Sequence, residues 1–341
     1  MSGTAGCDRS SDSGGPIRFV RLQTASGGGG FAVSARRDDV IVLQGFWRRD
    51  EIDAIRAANP ACRILIYQNI SRTVMPDAHG RYSTAITRAE AEANGWASGT
   101  PDGQESNLEF VEPNDASGYG RFALERILAK LAEAAESGFR VDGVFLDDDN
   151  SFAPTVQGGD PTSSASEWNA WMQGVNRIVG PGLQRRGHEV MANLSGAMAE
   201  RNRESGGWEE RQFPYFDYVL DEFMAYWPDG TAQPQANVDE AFRLAGIARE
   251  AGTVYVGSVP DAGDEARATF GLGLLLVQDP GHAAKAPGTG DGESWYGVYD
   301  RARKLGKPVG AARSSSPGVW AREFERGAVR LDLRARTATI G

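Results

Sequence analysis

The chain has 341 residues, 40% of them hydrophobic, which is enough to bury one large α/β core or two small ones. Its formal charge of −10 argues against a nucleic-acid partner, because phosphate-backbone binders need a Lys/Arg excess to displace counterions. It contains no uninterrupted apolar stretch of about 18 residues, so no transmembrane helix is expected.

Residues 1–15 read as a disordered leader without an apolar core for a signal peptide. Within it, Thr4-Ala5-Gly6-Cys7 followed by a Ser/Gly-rich run resembles a lipoprotein lipobox and tether whose hydrophobic part is missing. That favours an extracellular or cell-envelope location, with a cytoplasmic one as the alternative. The two cysteines, Cys7 and Cys62, make neither a disulfide framework nor a zinc-ligand spacing.

From Pro16 onward, short apolar runs alternate with segments of helical period, the mark of successive βα units and a parallel sheet. Eight strands are expected, at Ile17–Leu22, Val40–Gln44, Arg63–Asn69, Gly143–Asp147, Glu189–Leu194, Tyr218–Glu222, Val254–Val259 and, least distinctly, Gly281–Lys285. Most are apolar throughout, as strands covered on both faces are. Between them lie core-facing stripes such as Trp168, Trp171, Met172, Val175, Ile178 and Val179. Asp50 can cap the helix containing Ile52 and Ile55, and Gly252 can end the one containing Phe242 and Leu244.

Eight such units predict an α/β fold of the closed (β/α)8 TIM barrel type over residues 16–300. One connection, Ser71 to Tyr119, is unusually long and leads to a helix expected near Arg121; leaving the carboxyl end of strand three, it is expected to cover part of the barrel mouth. After Trp295 the periodicity fades. Val319–Phe324, Ala328–Leu333 and Thr337–Ile340 then read as strands of a small C-terminal β-appendage, residues 301–341, packed on the barrel.

A parallel barrel places its active site at the carboxyl ends of its strands. Strand four runs into Asp147-Asp148-Asp149-Asn150 and strand six ends in Asp221-Glu222. Strand alternation predicts Asp147 and Asp149 on one face and Asp148 on the other. Two carboxyls from separate strand ends suit glycoside cleavage, where one protonates the departing oxygen and the other attacks the sugar or activates water. Asp147 is the expected nucleophile or base, kept ionised by polar neighbours. Glu222 is the expected acid, its pKa raised by burial beside Phe223 and by a like charge.

Other strand ends supply amides, hydroxyls and aromatics for a carbohydrate: Gln44, Tyr67, Asn69, Asn193 and Ser258, with Trp47, Tyr226, Trp227 and Trp295 as platforms. Asp148 and Asp149 complete the substrate-binding set, and no cofactor or metal is expected. For each aromatic, packing under a loop is the competing reading.

The order Val40-Ile41-Val42-Leu43-Gln44, Asn59-Pro60, Ile64-Leu65-Ile66-Tyr67, Asp142-Gly143-Val144-Phe145-Leu146-Asp147 and Asp217-Tyr218-Val219-Leu220-Asp221-Glu222 resembles the hypothetical glycosyl-hydrolase-like family 15. It is more distantly similar to endo-α-1,4-polygalactosaminidase-type barrels. The tail from Leu305-Gly306-Lys307-Pro308 through Val319-Trp320 to Val329 resembles the stretch after the barrel in that family. The resemblance runs from about Arg18 to the C-terminus. It implies a glycosidase barrel with Asp147 and Glu222 as the catalytic pair, and the chain departs from it in the two acids that follow Asp147.

Two rival readings stand beside this one. Asp147-Asp148-Asp149 mimics the Asp-x-Asp site of a Mg²⁺-dependent phosphotransferase, although such sites sit on an early strand. Alternatively, the barrel binds carbohydrate without turnover, since a fold guarantees no activity. A zinc deacetylase needs a His pair, and His79, His188 and His282 are too scattered to supply one.

Overall fold

The computed structural model describes residues 17–23, 35–43, 49–74, 83–98, 108–149, 164–260, 263–278, 284–287 and 295–341. The leader, residues 1–15, lies outside them. The first elements are β1 (Arg18–Gln23), β2 (Val40–Leu43), α1 (Arg49–Ala58), β3 (Arg63–Asn69), β4 (Arg72–Val74), α2 (Arg88–Ala93), β5 (Ala97–Ser98), β6 (Leu108–Val111) and α3 (Ala116–Glu136). Then come β7 (Gly143–Asp147), α4 (Ala165–Gln184), β8 (Glu189–Ser195), α5 (Met198–Glu204), β9 (Tyr218–Asp221), α6 (Gln235–Ala251), β10 (Val254–Val259) and α7 (Glu265–Gln278). The chain ends with β11 (Ala284–Pro287), α8 (Gly297–Arg303), β12 (Arg313–Ser316), β13 (Val319–Phe324), β14 (Gly327–Asp332) and β15 (Thr337–Ile340).

Strands β1-β11-β10-β9-β8-β7-β3-β2 close, every neighbour parallel, into the predicted eight-stranded barrel. Seven of the eight lie within a residue of their predicted bounds. The eighth is displaced from Gly281–Lys285 to Ala284–Pro287. Its sequence has no bulky apolar run to mark it.

Local chemistry explains several boundaries. Ser164 and Glu167 form a reciprocal capping box at the start of α4, and the stripe Trp168, Met172, Val175 and Val179 is buried. Gly252 ends α6 in the left-handed conformation, φ +77, and returns its N–H to Ala248 and Arg249. Helix α3 starts at Ala116, five residues before the predicted place, because Asp115 caps it by accepting the Gly118 N–H.

The Asp142-Gly143 pair that opens β7 is structural. Asp142 Oδ2 accepts from Arg56 at 2.6 Å and from the Ile64 backbone at 2.8 Å, which ties β7 to α1 and β3. A Cβ on Gly143 would stand 1.9 Å from the Glu189 carbonyl oxygen, so only glycine lets β7 and β8 start side by side. At that same amino end, Arg63 pairs with Glu189 at 2.7 Å, and Tyr218 donates to Glu189 at 3.3 Å.

Within the described part of the long connection after β3, β4, β6 and β5 form a three-stranded antiparallel sheet with α2 beside it. Those strands of two to four residues are too short to show a period in sequence. The tail forms a four-stranded antiparallel sheet, β12-β13-β14-β15, one strand more than predicted. Val329, Leu331 and Ile340 of this sheet share a core with Leu272, Leu274 and Leu275 of α7, and Trp320 packs on Phe242 with ring centroids 5.1 Å apart.

Candidate active site

Every second residue of a barrel strand points inward. Leu65, Phe145, Met191, Leu220 and Val256 belong to one buried apolar cluster that fills the barrel interior. Two residues further toward the carboxyl ends, the inward positions turn polar: Tyr67, Asp147, Asn193, Glu222 and Ser258.

Four of these side chains form one network. Tyr67 donates its phenol to Asp147 Oδ2 at 2.7 Å. Asn193 Nδ2 donates to Asp147 Oδ1 at 2.9 Å and to Glu222 Oε2 at 3.2 Å. These two carboxyl oxygens, sharing one nitrogen, are therefore at most about 6.1 Å apart, the two bonds laid end to end. Ser258 is the residue after the one paired with Asp221; it is fully buried, and its hydroxyl has no hydrogen-bond partner among the described residues.

Both acids are hard to ionise. Burial pushes Asp147 up to about 6, with the Asp148 charge adding to it and the Tyr67 and Asn193 bonds opposing. The polar neighbours expected to hold it ionised are present, but burial outweighs them. Burial pushes Glu222 up to about 7, helped by the charge of Asp147 and opposed by the Asn193 bond.

The three consecutive acids do not alternate as predicted. Asp148 sits at φ +53, a left-handed conformation uncommon outside glycine, which breaks the two-residue period at the end of β7. Its carboxylate turns to Asn69 Nδ2 at 2.6 Å and to Arg72 Nε at 3.4 Å, and its carbonyl accepts from Ser71 Oγ at 2.8 Å. Asp149 does not share the face of Asp147. It is fully buried beside Asn176 of α4, and burial pushes its carboxyl up to about 7. The Asn176 side chain opposes that shift without cancelling it. With these acids pointing three ways, no group of three or more His, Cys, Asp or Glu side chains among the described residues is placed to hold a metal ion.

The remaining candidates divide. Asn69 shapes the turn after β3, its Oδ1 accepting from the Ser71 and Arg72 backbone at 3.1 and 2.9 Å. Trp227 is half-buried in the turn after β9, bonded through its backbone N–H to Thr231 at 2.8 Å. Tyr226 is buried, with Arg267 and Arg336 each over its ring and Phe270 at its edge, so its surface is taken up within the chain. Trp295 is not brought to this site: it packs on Phe19 and Tyr299, and Phe19 lies one residue into β1, at the amino end of the barrel. Gln44 and Trp47 lie outside the described residues.

One participant was not foreseen from the sequence. Arg72, three residues past the end of β3, brings a cation to the Asp148 carboxylate. Inspecting the few residues beyond each strand end would have found it. Asp221 points out of the barrel, where Tyr255 Oη donates to it at 2.7 Å and the Met198 N–H at 3.3 Å. Alternation from the inward Leu220 predicts that direction.

A closed parallel barrel with paired acids from two strand ends defines the class of TIM-barrel proteins to which many glycosidases belong. The chain belongs to the hypothetical glycosyl hydrolase family 15, whose model matches residues 56–328. No curated protein matches it. Among solved structures it is similar to the glycoside hydrolase domain of PgaB (BpsB) from Bordetella bronchiseptica, with a TM-score of 0.50 and 12% identity over 88% of this chain and 100% of that one. It is also similar to the ligand-free α-N-acetylgalactosaminidase NagBb from Bifidobacterium bifidum, with a TM-score of 0.50 and 11% identity. That match covers 96% of this chain but only 58% of NagBb. At these identities the likeness establishes the shared barrel fold.

Proposed function

We propose that the chain is a glycoside hydrolase that cleaves an oligo- or polysaccharide with retention of configuration, using Asp147 as nucleophile and Glu222 as acid and base. The observation that carries this reading is the shared amide: Asn193 holds one oxygen of each carboxyl on a single nitrogen, at 2.9 and 3.2 Å. Retaining pairs stand roughly 5–5.5 Å apart and inverting pairs roughly 6.5–9.5 Å, so the near oxygens fall on the retaining side.

In this mechanism Asp147 attacks the anomeric carbon as the bond to the departing oxygen breaks, and that oxygen takes the Glu222 proton. Glu222, now ionised, removes a proton from water, which displaces Asp147 from the sugar. Tyr67 and Asn193 keep the Asp147 oxygens aimed. The higher of the two pKa values falls on the group that must start protonated.

Incubation with panels of α- and β-linked polysaccharides, followed by assay of released reducing ends, tests the activity, and proton NMR of the first-formed anomer tests the stereochemistry. Binding of a saccharide without any cleavage would favour a non-catalytic barrel. A first product of inverted configuration would overturn the nucleophile role.

A further inference from the structure

Arg336 of the C-terminal sheet reaches the connection that begins with Glu222. Arg336 closes the turn between β14 and β15 at φ +52, and its guanidinium leaves the sheet altogether. It donates to the Ala225 carbonyl oxygen at 2.7 Å and to the Gln233 carbonyl oxygen, and lies 5.5 Å from the centre of the Tyr226 ring. All three residues belong to the connection between β9 and α6, which begins with Glu222.

That connection holds a strained residue. Ala225 sits at φ +69 and is buried, a conformation that a Cβ disfavours. Its carbonyl oxygen accepts both the Gln233 N–H, at 3.0 Å, and Arg336. The Gln233 side chain, itself buried, donates to the Phe223 carbonyl and accepts from Asn237 at 3.2 Å. Nearer the acid, the Phe223 N–H bonds to Gly196 at 2.7 Å and the Met224 N–H to Ser258 at 2.9 Å. Glu222 thus leads into a turn fixed at each step, and the outermost tie, at Ala225, comes from a residue 111 positions beyond Ala225 in the chain.

We propose that Arg336 is a positioning residue for Glu222, and that the C-terminal sheet serves to brace the acid's turn. The proposal rests on the reading of Glu222 as the acid. Without the guanidinium, two carbonyls lose a charged donor and Ala225 is free to return to negative φ. Phe223 then shifts over Gly196, whose Cα it closely covers, and water reaches Glu222. The charged and polar groups that face Glu222 are Asp147 and Asp148 at the end of β7, Asn193 on β8 and Asp221 on its own strand, and the substitution alters none of them.

The test compares wild type, Arg336→Ala and Arg336→Lys, with Arg330→Ala, exposed on β14, as the control. Arg336→Ala is expected to lower kcat roughly ten- to hundredfold while KM moves less than about threefold, the mark of a misplaced catalytic group. Guanidinium ion, well below denaturing concentration, should restore part of the loss. Arg336→Lys keeps the charge but cannot serve two carbonyls, so it should fall between, and Arg330→Ala should match wild type. The Glu222 carboxyl, followed by 13C NMR and assigned with Glu222→Gln, should titrate lower in both Arg336 variants because it is better hydrated.

Folded Arg336 variants with wild-type kcat and an unmoved Glu222 titration would overturn the proposal. If Arg336→Ala does not fold, Arg336→Lys decides by the same two measurements. If the wild type cleaves no glycoside, the functional reading fails, and the titration alone still decides whether Arg336 braces Glu222.

Discussion

Tyr67 and Asp147 stand on neighbouring strands and meet through a 2.7 Å hydrogen bond from phenol to carboxylate. The bond favours the ionised acid, and it is the largest of the three hydrogen bonds, from Tyr67, Asn193 and the Asp148 backbone, that oppose the effect of burial on Asp147. Tyr67→Phe is therefore expected to raise the Asp147 pKa above its value of about 6, moving the acid limb of kcat/KM to higher pH. Hydrogen bonds to charged groups are worth about 1.5–3 kcal/mol, so kcat/KM should also fall about 10- to 100-fold. An acid limb at the wild-type position would show that the phenol does not act on Asp147.

The wild-type pH profile follows from the same two acids. Asp147 must be ionised to attack and gains that state as pH rises through about 6; Glu222 must be protonated and loses that state as pH rises through about 7. A narrow bell centred between these values is expected. Glu222→Gln should remove the alkaline limb along with most of the activity. A profile still rising beyond pH 8 would mean that a group other than Glu222 supplies the proton.

The barrel was legible because its strands are covered on both faces and so appear as apolar runs, as in Val144-Phe145-Leu146 or Val254-Tyr255-Val256. The strand that slipped, β11, is Ala284-Lys285-Ala286-Pro287, and nothing in those residues distinguishes it from a loop. Asp147 and Glu222 could be brought together on paper because position at a strand end sets direction. Asp148 could not, since a left-handed residue appears in no hydrophobic pattern. Trp295 was misplaced for a related reason: nearness in sequence to the last strand does not say at which end of the barrel the chain packs.

Asp149 offers a test by stability alone. Its carboxyl is fully buried beside Asn176, whose side chain only partly offsets the cost of burying its charge. The folded-state pKa is raised from 3.8 to about 7, so the folded chain keeps a proton that the unfolded chain gives up. That contribution is fully present below about pH 4, is lost as pH rises toward 7, and is constant above. Asp149→Asn has no proton to lose and can donate to Asn176. Relative to wild type it should gain on the order of 2–4 kcal/mol at pH 8 and much less at pH 4, at about 1.4 kcal/mol per unit of pKa. Urea unfolding at the two pH values measures this, and an equal difference at both would show that Asp149 is charged in the fold.

The division of labour between Asp147 and Glu222 is the most exposed prediction. They differ in surroundings: two side-chain hydrogen bonds, from Tyr67 and Asn193, hold Asp147, whereas Glu222 has the single side-chain bond from Asn193 and the higher pKa. If Glu222 gives the proton, Glu222→Ala should slow cleavage of substrates with poor leaving groups far more than that of activated aryl glycosides, whose departure needs little protonation. Azide should accelerate that variant on aryl glycosides, because a small anion can displace Asp147 from the sugar without a base, yielding a glycosyl azide of retained configuration. Asp147→Ala should depress both substrate classes alike, since attack on the sugar is required in each. Azide there takes the place of the nucleophile and should give the azide of opposite configuration. An exchange of these two patterns would exchange the roles, and full activity in both variants would remove the pair from the chemistry.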